Sequence, residues 1–550
     1  MRVPLVCLLS LSLSIGCGAT HPAPTLPSHA AAPRPRIVVT LVYDQLASWV
    51  LELHRDRLDP HGAIRRTIDR GTYVHRVAYQ YAGTYTAPGH AAIYSGASPW
   101  QSGIPSNRVW DHARAARLSS MDDGAHPLFG RETVFASPSS FTAESVADVL
   151  ERESGEVALT VSLAMKDRSA VLPGGQHPDG CFWLDPRAGG FTTSSYYSAA
   201  LPARIADWQA AHPLEGTMHV WEPEDPASLA SLGPDDASGE GAYGFGATFP
   251  HDPSAPASRA EPDAYLSTPA STEHLLAFAR EAVRVLHLGQ DEQTDLLAVS
   301  IATTDYIGHA FGPESWEYVD GLVRVDRAVG AFLDELEREH GEIAVLITAD
   351  HGVAPLVERA RERGHTDAVR WTSERELDLL RESLARALGP GEWVAAWVQP
   401  YVYLTPRVRD GADRDRVVQA ITTHLSSRPG IARVVDTRQA ERLRASADPI
   451  DVLIGCSLLA SPPGELYVVP TEWSVAEEEL SADAGTSHGS PWDYDREVPV
   501  VFSGPGVVHA DVDQDDLSQA RVATTIAYLC GVSAPALADR AALPGAPAAP

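Results

Sequence analysis

Residues 295–309 read DLLAVSIATTDYIGH. The apolar run from Asp295 to Ala302 has the length and character of a strand buried on both faces. It then breaks into two threonines, an aspartate and, four residues on, a histidine. The construction recurs along the chain. IVVTLVY at 37–43 runs into Asp44, and IAVLIT at 343–348 runs through Ala349 into Asp350 and His351. VALTVSLA at 157–164 leads to Lys166, Asp167 and Arg168, and VPVVF at 498–502 follows a segment that carries His488. These runs are expected to be buried parallel strands. Helical patterns lie between them. In STEHLLAFAREAVRVLHLG at 271–289, Leu275, Phe278, Ala279, Ala282, Val283 and Leu286 fall on one face, and a similar stripe runs through 314–341. Strands alternating with helices predict an α/β fold with a doubly wound, mostly parallel sheet.

Two stretches interrupt the alternation. Residues 170–270 are loop-rich, and 375–475 hold patterns of their own, including the strand-like WVQPYVYLT at 397–405. Both are expected to be insertions forming a cap over the C-terminal edge of the sheet. The folded domain is expected to span 36–540, with 541–550 as a disordered tail. No internal repeat is evident.

The charge balance narrows the function. Asp and Glu total 73 against 43 Lys and Arg, a net charge of −30. Such a chain offers no basic face for nucleic acid. An anionic substrate would be repelled at long range, so a site for one must concentrate cations locally.

The first residues, MRVPLVCLLSLSLSIGCGAT, place one Arg before an apolar run from Val3 to Ile15 and then small residues. This is the pattern of a secretory signal, too short for a stable bilayer-spanning helix. Gly16-Cys17 at its end is similar to a bacterial lipoprotein cleavage site, although Ser14 stands where that pattern prefers Leu. Residues 1–17 are therefore expected to be a signal peptide of lipoprotein type. They would export the chain across the inner membrane to the periplasm and anchor it by lipid on Cys17. The Pro- and Ala-rich residues 18–35 suit a tether. Cys181, Cys456 and Cys530 then remain, enough for one disulfide whose pairing the sequence leaves open.

The polar residues at the strand ends carry the chemistry. In open α/β sheets ligands bind beyond the C-terminal ends of the strands, so residues far apart in the chain can converge there. Asp44, Asp305 and Asp350 with His309, His351 and His488 make a set of carboxylates and imidazoles suited to two Zn²⁺ ions. Any one of them alone reads as a helix cap or a hydrogen-bonded core residue.

With GTYTAPGHAAIYSG at 83–96, SLAMKDRSAVLPGG at 162–175, LITADHGVAPL at 346–356 and the His488 segment, these motifs resemble the alkaline phosphatase superfamily. The likeness is to its branch of periplasmic phosphate-monoester phosphatases with a nucleophilic Thr, relatives of the nucleotide pyrophosphatase/phosphodiesterases. It covers nearly all of 36–535. It implies a three-layer α/β/α sandwich of alkaline phosphatase type. It also implies zinc-dependent hydrolysis of small-molecule phosphate monoesters through a phospho-threonine intermediate. In the T-x-P-G-H register the nucleophile is Thr86, presented at a helix N-terminus where backbone N–H groups favour a phosphoryl group. Thr84 and His90 read as structural. The resemblance places one zinc on Asp305, His309 and His488, and the other on Asp44, Asp350, His351 and Thr86. It assigns Asn107, Lys166 and Arg168 to the non-bridging phosphoryl oxygens. Strand alternation would point Lys166 and Arg168 to one side. Diesterase relatives lack that cation pair, so its presence favours a monoesterase over the alternative, a phosphodiesterase or nucleotide pyrophosphatase. A sulfatase signature is absent from the nucleophile segment.

Overall fold

The computed structural model describes residues 34–477 and 484–550. The expected signal segment and nearly all of the tether lie outside the described residues. A sheet of nine strands organises the chain, in the order Ala510–Val512, Thr72–Ala78, Glu497–Ser503, Ala344–Thr348, Ile37–Tyr43, Asp295–Ile301, Thr160–Ala164, Gly180–Asp185 and Gly190–Thr192. The five strands from Ala344–Thr348 to Gly180–Asp185 are parallel. Ile37–Tyr43 sits at the middle with every residue buried, which explains its unbroken apolarity. Its register sets Tyr43 opposite Ile301 and Val42 opposite Thr348. Three strands thus end level with one another, and the residues that follow them emerge together.

Two groups of helices cover the sheet. Thr86–Ser95, Val146–Ser154, Asp167–Gly174 and Ala520–Cys530 pack with one another, as do Ala63–Arg70, Pro269–Leu286 and Trp316–His340. The doubly wound expectation holds, and several details differ from the sequence reading. Glu497–Ser503 is antiparallel to both of its neighbours. An apolar run reports that both faces are covered, not which way the strand points. The first insertion begins later than residue 170, because Asp167–Gly174 and the strands at 180–185 and 190–192 belong to the sheet layers. WVQPYVYLT is a hairpin, Val394–Val398 and Tyr401–Leu404 turning at Gln399-Pro400. With Leu466–Pro470 and Ile431–Asp436 this hairpin forms a separate sheet of four strands, whose own core includes Trp397, Val402, Leu404 and Leu425. Short ribbons at Arg108–Asp111 with Ala116–Ser119, and at Pro127–Leu128 with Arg131–Phe135, have no counterpart in the sequence reading.

The segment read as a loose tail is held at its start. Leu543 is buried and its N–H donates to Thr525 Oγ1 at 3.0 Å, while the Val508 N–H donates to the Gly545 carbonyl at 2.9 Å. One apolar side chain and two hydrogen bonds outweigh the Pro/Ala composition around them. Cys181, Cys456 and Cys530 are free thiols. Among the described residues no helix is long and apolar enough to cross a membrane.

The first insertion is fastened to the long Trp316–His340 helix by a buried pair. His251 Nε2 lies 2.9 Å from Glu317 Oε1, and both side chains are fully enclosed. Burial first, and then the nearby Asp235 and Asp320, push the Glu317 carboxyl up to about 9. Burial lowers His251 to about 4. The folded chain therefore keeps a proton on Glu317 that the unfolded chain has released. That contribution is complete below the ordinary carboxyl range and is lost as pH rises toward about 9. Between pH 7 and 9 His251 is neutral in both states and does not offset it. Wild-type stability should fall over this window with a component of up to about 1.4 kcal/mol per pH unit that Glu317→Gln removes. Thermal midpoints of both proteins across the window check this. Parallel slopes would show that Glu317 is ionised in the folded chain.

Candidate active site

The level strand ends deliver the site. The Asp44 N–H donates to the Ile301 carbonyl at 3.0 Å, and Thr304 Oγ1 donates back to the Asp44 carbonyl at 2.6 Å. Asp305 lies in the first turn of the Thr303–Phe311 helix, and His309 lies one turn further on the same face. Asp350 and His351 follow Ala344–Thr348 directly. Thr86 opens the Thr86–Ser95 helix after an extended Tyr85. That helix has no side-chain cap at its N-cap residue; instead Asn107 Oδ1 accepts from the Ala87 N–H at 2.8 Å. Using Oδ1 in this way leaves the Asn107 amide group as a donor. Gly89 is required by contact: a Cβ there would lie 2.1 Å from the Asp350 carbonyl oxygen. The Pro88-Gly89 turn thus brings that helix against the strand end that carries Asp350.

Five of the six expected carboxylate and imidazole ligands converge in two groups that share Asp305. Ligand atoms of Asp305, His309 and His488 all lie within 4.8 Å of one another, and so do those of Asp44, Asp305 and His351. Asp305 joins the second group where the sequence reading put Asp350. Asp350 stays close, with Oδ2 3.6 Å from His351 Nε2. Thr86 Oγ1 is 3.4 Å from the same nitrogen.

The histidines show whether this set suits a metal. His309 Nδ1 is 2.9 Å from the Thr486 carbonyl, His351 Nδ1 3.0 Å from the Gly352 carbonyl, and His488 Nδ1 2.7 Å from the Thr84 carbonyl. A carbonyl only accepts, so each Nδ1 carries the proton. Each Nε2 faces the carboxylates, the nitrogen whose lone pair a bound metal would take in place of a proton. Thr84, the second threonine of the turn, therefore orients His488 through its backbone.

The electrostatics point the same way. Burial would raise Asp305, but the Lys166 ammonium and His309 hold it well below the usual carboxylate range. Burial would lower His351, yet Asp350 and Asp44 push it up to about 9. A field that draws a proton this strongly also draws a metal cation. Burial, followed by the two neighbouring histidines, keeps His488 neutral.

Two residues of the site were not assigned there from the sequence. Gln45 takes a left-handed backbone, φ 72°, in which its N–H donates to Asp350 Oδ1 at 3.3 Å and its Nε2 to Asp305 Oδ1 at 2.8 Å. It spans two of the carboxylates, and a Cβ on Gly308 would strike its Oε1. His90 is more than a core residue, because its Nδ1 lies 3.2 Å from Asp350 Oδ2. Gln45 lies directly after the Asp44 strand end, the signal by which it could have been found.

Lys166 and Arg168 do not lie on a strand. The strand ends at Ala164, Lys166 is the N-cap of the Asp167–Gly174 helix and Arg168 is in its first turn, so strand alternation does not apply. Lys166 Nζ reaches Asp44 Oδ2 at 2.7 Å and Asp305 Oδ2 at 2.6 Å, supplying the positive charge between them. Both cations line a cavity of about 500 Å³, together with Asn107, Asp305, His309 and His488. Tyr243 of the first insertion, with Gln399 and Glu477 from beyond residue 375, form other parts of its wall.

Comparison with known proteins agrees with this architecture. The family model of type I phosphodiesterase / nucleotide pyrophosphatase matches residues 38–491. Alkaline phosphatase PafA of Elizabethkingia meningoseptica is 27% identical over 517 residues, covering 92% of this chain and 93% of that protein. A Myroides odoratus protein named calcium-transporting ATPase is 29% identical over 503 residues, covering 86% and 88%. The crystal structure of wild-type PafA matches with a TM-score of 0.84 at 26% identity, covering 94% of this chain and 99% of that one.

The contact at Gly89 makes one expectation. Gly89→Ala must push the Thr86–Ser95 helix away from Asp350, at an overpacking cost of about 1–3 kcal/mol. Metal content of the purified variant should fall together with its thermal midpoint. Full metal loading at wild-type stability would show that the two segments can separate freely.

Proposed function

Since the chain belongs to the type I phosphodiesterase / nucleotide pyrophosphatase family, within the alkaline phosphatase superfamily, we propose that it is a phosphatase. It hydrolyses small-molecule phosphate monoesters, with Thr86 as nucleophile and two Zn²⁺ as cofactor. The observation that carries this reading is the shared cavity. Asn107, Lys166 and Arg168 lie on the same wall system as Asp305, His309 and His488.

Asp305, His309 and His488 would hold one ion; Asp44, Asp350 and His351 would hold the other, with Asp305 near enough to serve both. Bound zinc supplies Lewis-acid stabilisation of the attacking and departing oxygens. The remaining work falls to the chain. Thr86 is fixed at a helix start, where N–H groups face incoming negative charge. Its Oγ attacks phosphorus, the ester oxygen leaves, and water then releases phosphate from the phospho-threonine. Asn107 donates its amide to a non-bridging oxygen. Arg168 offers its fork to the same group. Lys166 now neutralises Asp44 and Asp305. Cations on those carboxylates would take over that task and free its ammonium for a phosphoryl oxygen in the cavity it lines. A monoester dianion carries more charge than a diester monoanion, so two cations beyond the ligand set favour the monoester.

The family description favours a second reading, a phosphodiesterase, and the name of the Myroides relative adds a nucleoside triphosphate to the substrates worth assaying. Kinetics on matched aryl monoester, diester and ATP decide among them. Thr86→Ala should abolish turnover of the preferred substrate while the chain keeps its zinc. Lys166→Ala with Arg168→Ala should lower monoester kcat/KM by about 10² or more and leave diester turnover little changed. Equal losses on both esters would remove the basis for a monoesterase.

We also propose the periplasm as its location, with a lipid anchor on Cys17, from the lipoprotein-like end of the signal segment. Cell fractionation tests it: wild-type protein should sediment with membranes and Cys17→Ser should not. Soluble wild-type protein would leave only the exported part of the proposal.

A further inference from the structure

We infer that Arg370, which lies outside the ligand set and away from the cavity wall, is a positioning residue that locks His309 and His488 into ligand geometry. The inference rests on the metal-centre reading above.

Arg370 begins the Arg370–Thr372 strand beside Val475–Glu477, and its side chain is 6% exposed. Its guanidinium makes a fork to Glu358, Nη1 to Oε1 at 3.0 Å and Nη2 to Oε2 at 2.8 Å. The same group donates from Nε and Nη2 to the Gly485 carbonyl, at 3.0 and 2.8 Å. Glu358 therefore fixes the plane of the guanidinium, and the guanidinium fixes the Gly485 carbonyl.

What depends on that carbonyl is the next three residues. Gly485 has φ +82°, and a Cβ there would lie 2.3 Å from the His309 carbonyl, so the segment presses directly on the His309 helix. The Thr486 N–H donates to the His309 carbonyl at 3.0 Å, and His309 Nδ1 donates to the Thr486 carbonyl at 2.9 Å. Two residues on, His488 Nδ1 is held by Thr84. Arg370 thus anchors the start of a short segment that supplies one ligand and sets the proton position of another. Lysine cannot replace it: a single ammonium cannot hold a planar fork and aim two donors at a carbonyl together.

The inference predicts an uneven effect. Losing the hydrogen-bond partner behind a ligand histidine costs about 10- to 100-fold in metal affinity. That loss should appear at the site containing His309 and His488 and spare the one containing Asp44 and His351. The test uses the full chain with Arg370→Ala, Arg370→Lys and Glu358→Gln. Zinc affinities are measured by chelator competition, cobalt(II) absorption reports each site's coordination, and thermal midpoints are taken on metal-free protein. The expected result is a 10- to 100-fold weakening of one ion, with Arg370→Lys close to Arg370→Ala and metal-free stability near wild type. If Arg370→Ala does not fold, Arg370→Lys and Glu358→Gln carry the measurement. Unchanged affinity for both ions overturns the inference, as does an equal loss at both sites accompanied by a large fall in metal-free stability. A wild-type chain that binds no zinc overturns the metal-centre reading and this inference with it. Wild-type binding with unaltered variants overturns this inference alone.

Discussion

Three carboxylates buried side by side are the constraint around which this molecule is arranged. Asp44 and Asp350 are fully enclosed and Asp305 almost so, and each leaves one of three adjacent strands. Buried like charges repel, and each has been removed from water, so the cluster is strongly unfavourable unless cations meet it. Everything near it answers that need. Lys166 bridges two of the carboxylates, Gln45 donates to two, His90 approaches one, and three imidazoles face the group. A sheet that ends in such a cluster is costly to stability and useful only if something positive is to be held there.

The register explains how the cluster comes about. Hydrogen bonding of Ile37–Tyr43 to both neighbours leaves no freedom to slide, because a shift by one residue would turn buried side chains to the wrong face. Strand ends therefore arrive level, and the first residues after them meet. The core buys this precision with ordinary aliphatic packing, and the chemistry sits where that packing stops.

Much of this was readable in the sequence, for a physical reason. A run of Val, Ile and Leu broken by Asp or His marks a strand end, and strand ends of a parallel sheet converge. That places Asp44, Asp305, His309, Asp350 and His351 without any knowledge of distance. Orientation was less accessible. Gln45 acts through a left-handed backbone, the three histidines depend on carbonyls of Thr84, Gly352 and Thr486, and Arg370 acts through Gly485. None of these leaves a mark in residue type or spacing. Lys166 was given the alternation of a strand that ends at Ala164, where its apolar run ends too, and it caps the following helix instead. The direction of Glu497–Ser503 was hidden for a related reason: hydropathy carries no sign.

The two insertions take on a definite role once the cluster is in view. The sheet supplies the carboxylates, which would serve any phosphoryl or related transfer equally well. The remaining walls of the cavity come from elsewhere: Tyr243 from the first insertion, Gln399 at the hairpin turn, and Glu477 from the strand paired with Arg370–Thr372. These residues line the same cavity as Lys166 and Arg168, where the group attached to the phosphorus would lie if the proposed reaction holds. Glu477 also reaches back, with Oε1 3.5 Å from His309 Nδ1. The cavity wall away from the sheet is therefore in touch with the residues that would hold a metal. Chemistry set by a rigid sheet and selectivity set by inserted loops can vary separately in such a design. The Arg370 anchor marks where the two are joined, because it ties the strand just before the second insertion to the segment that carries His488.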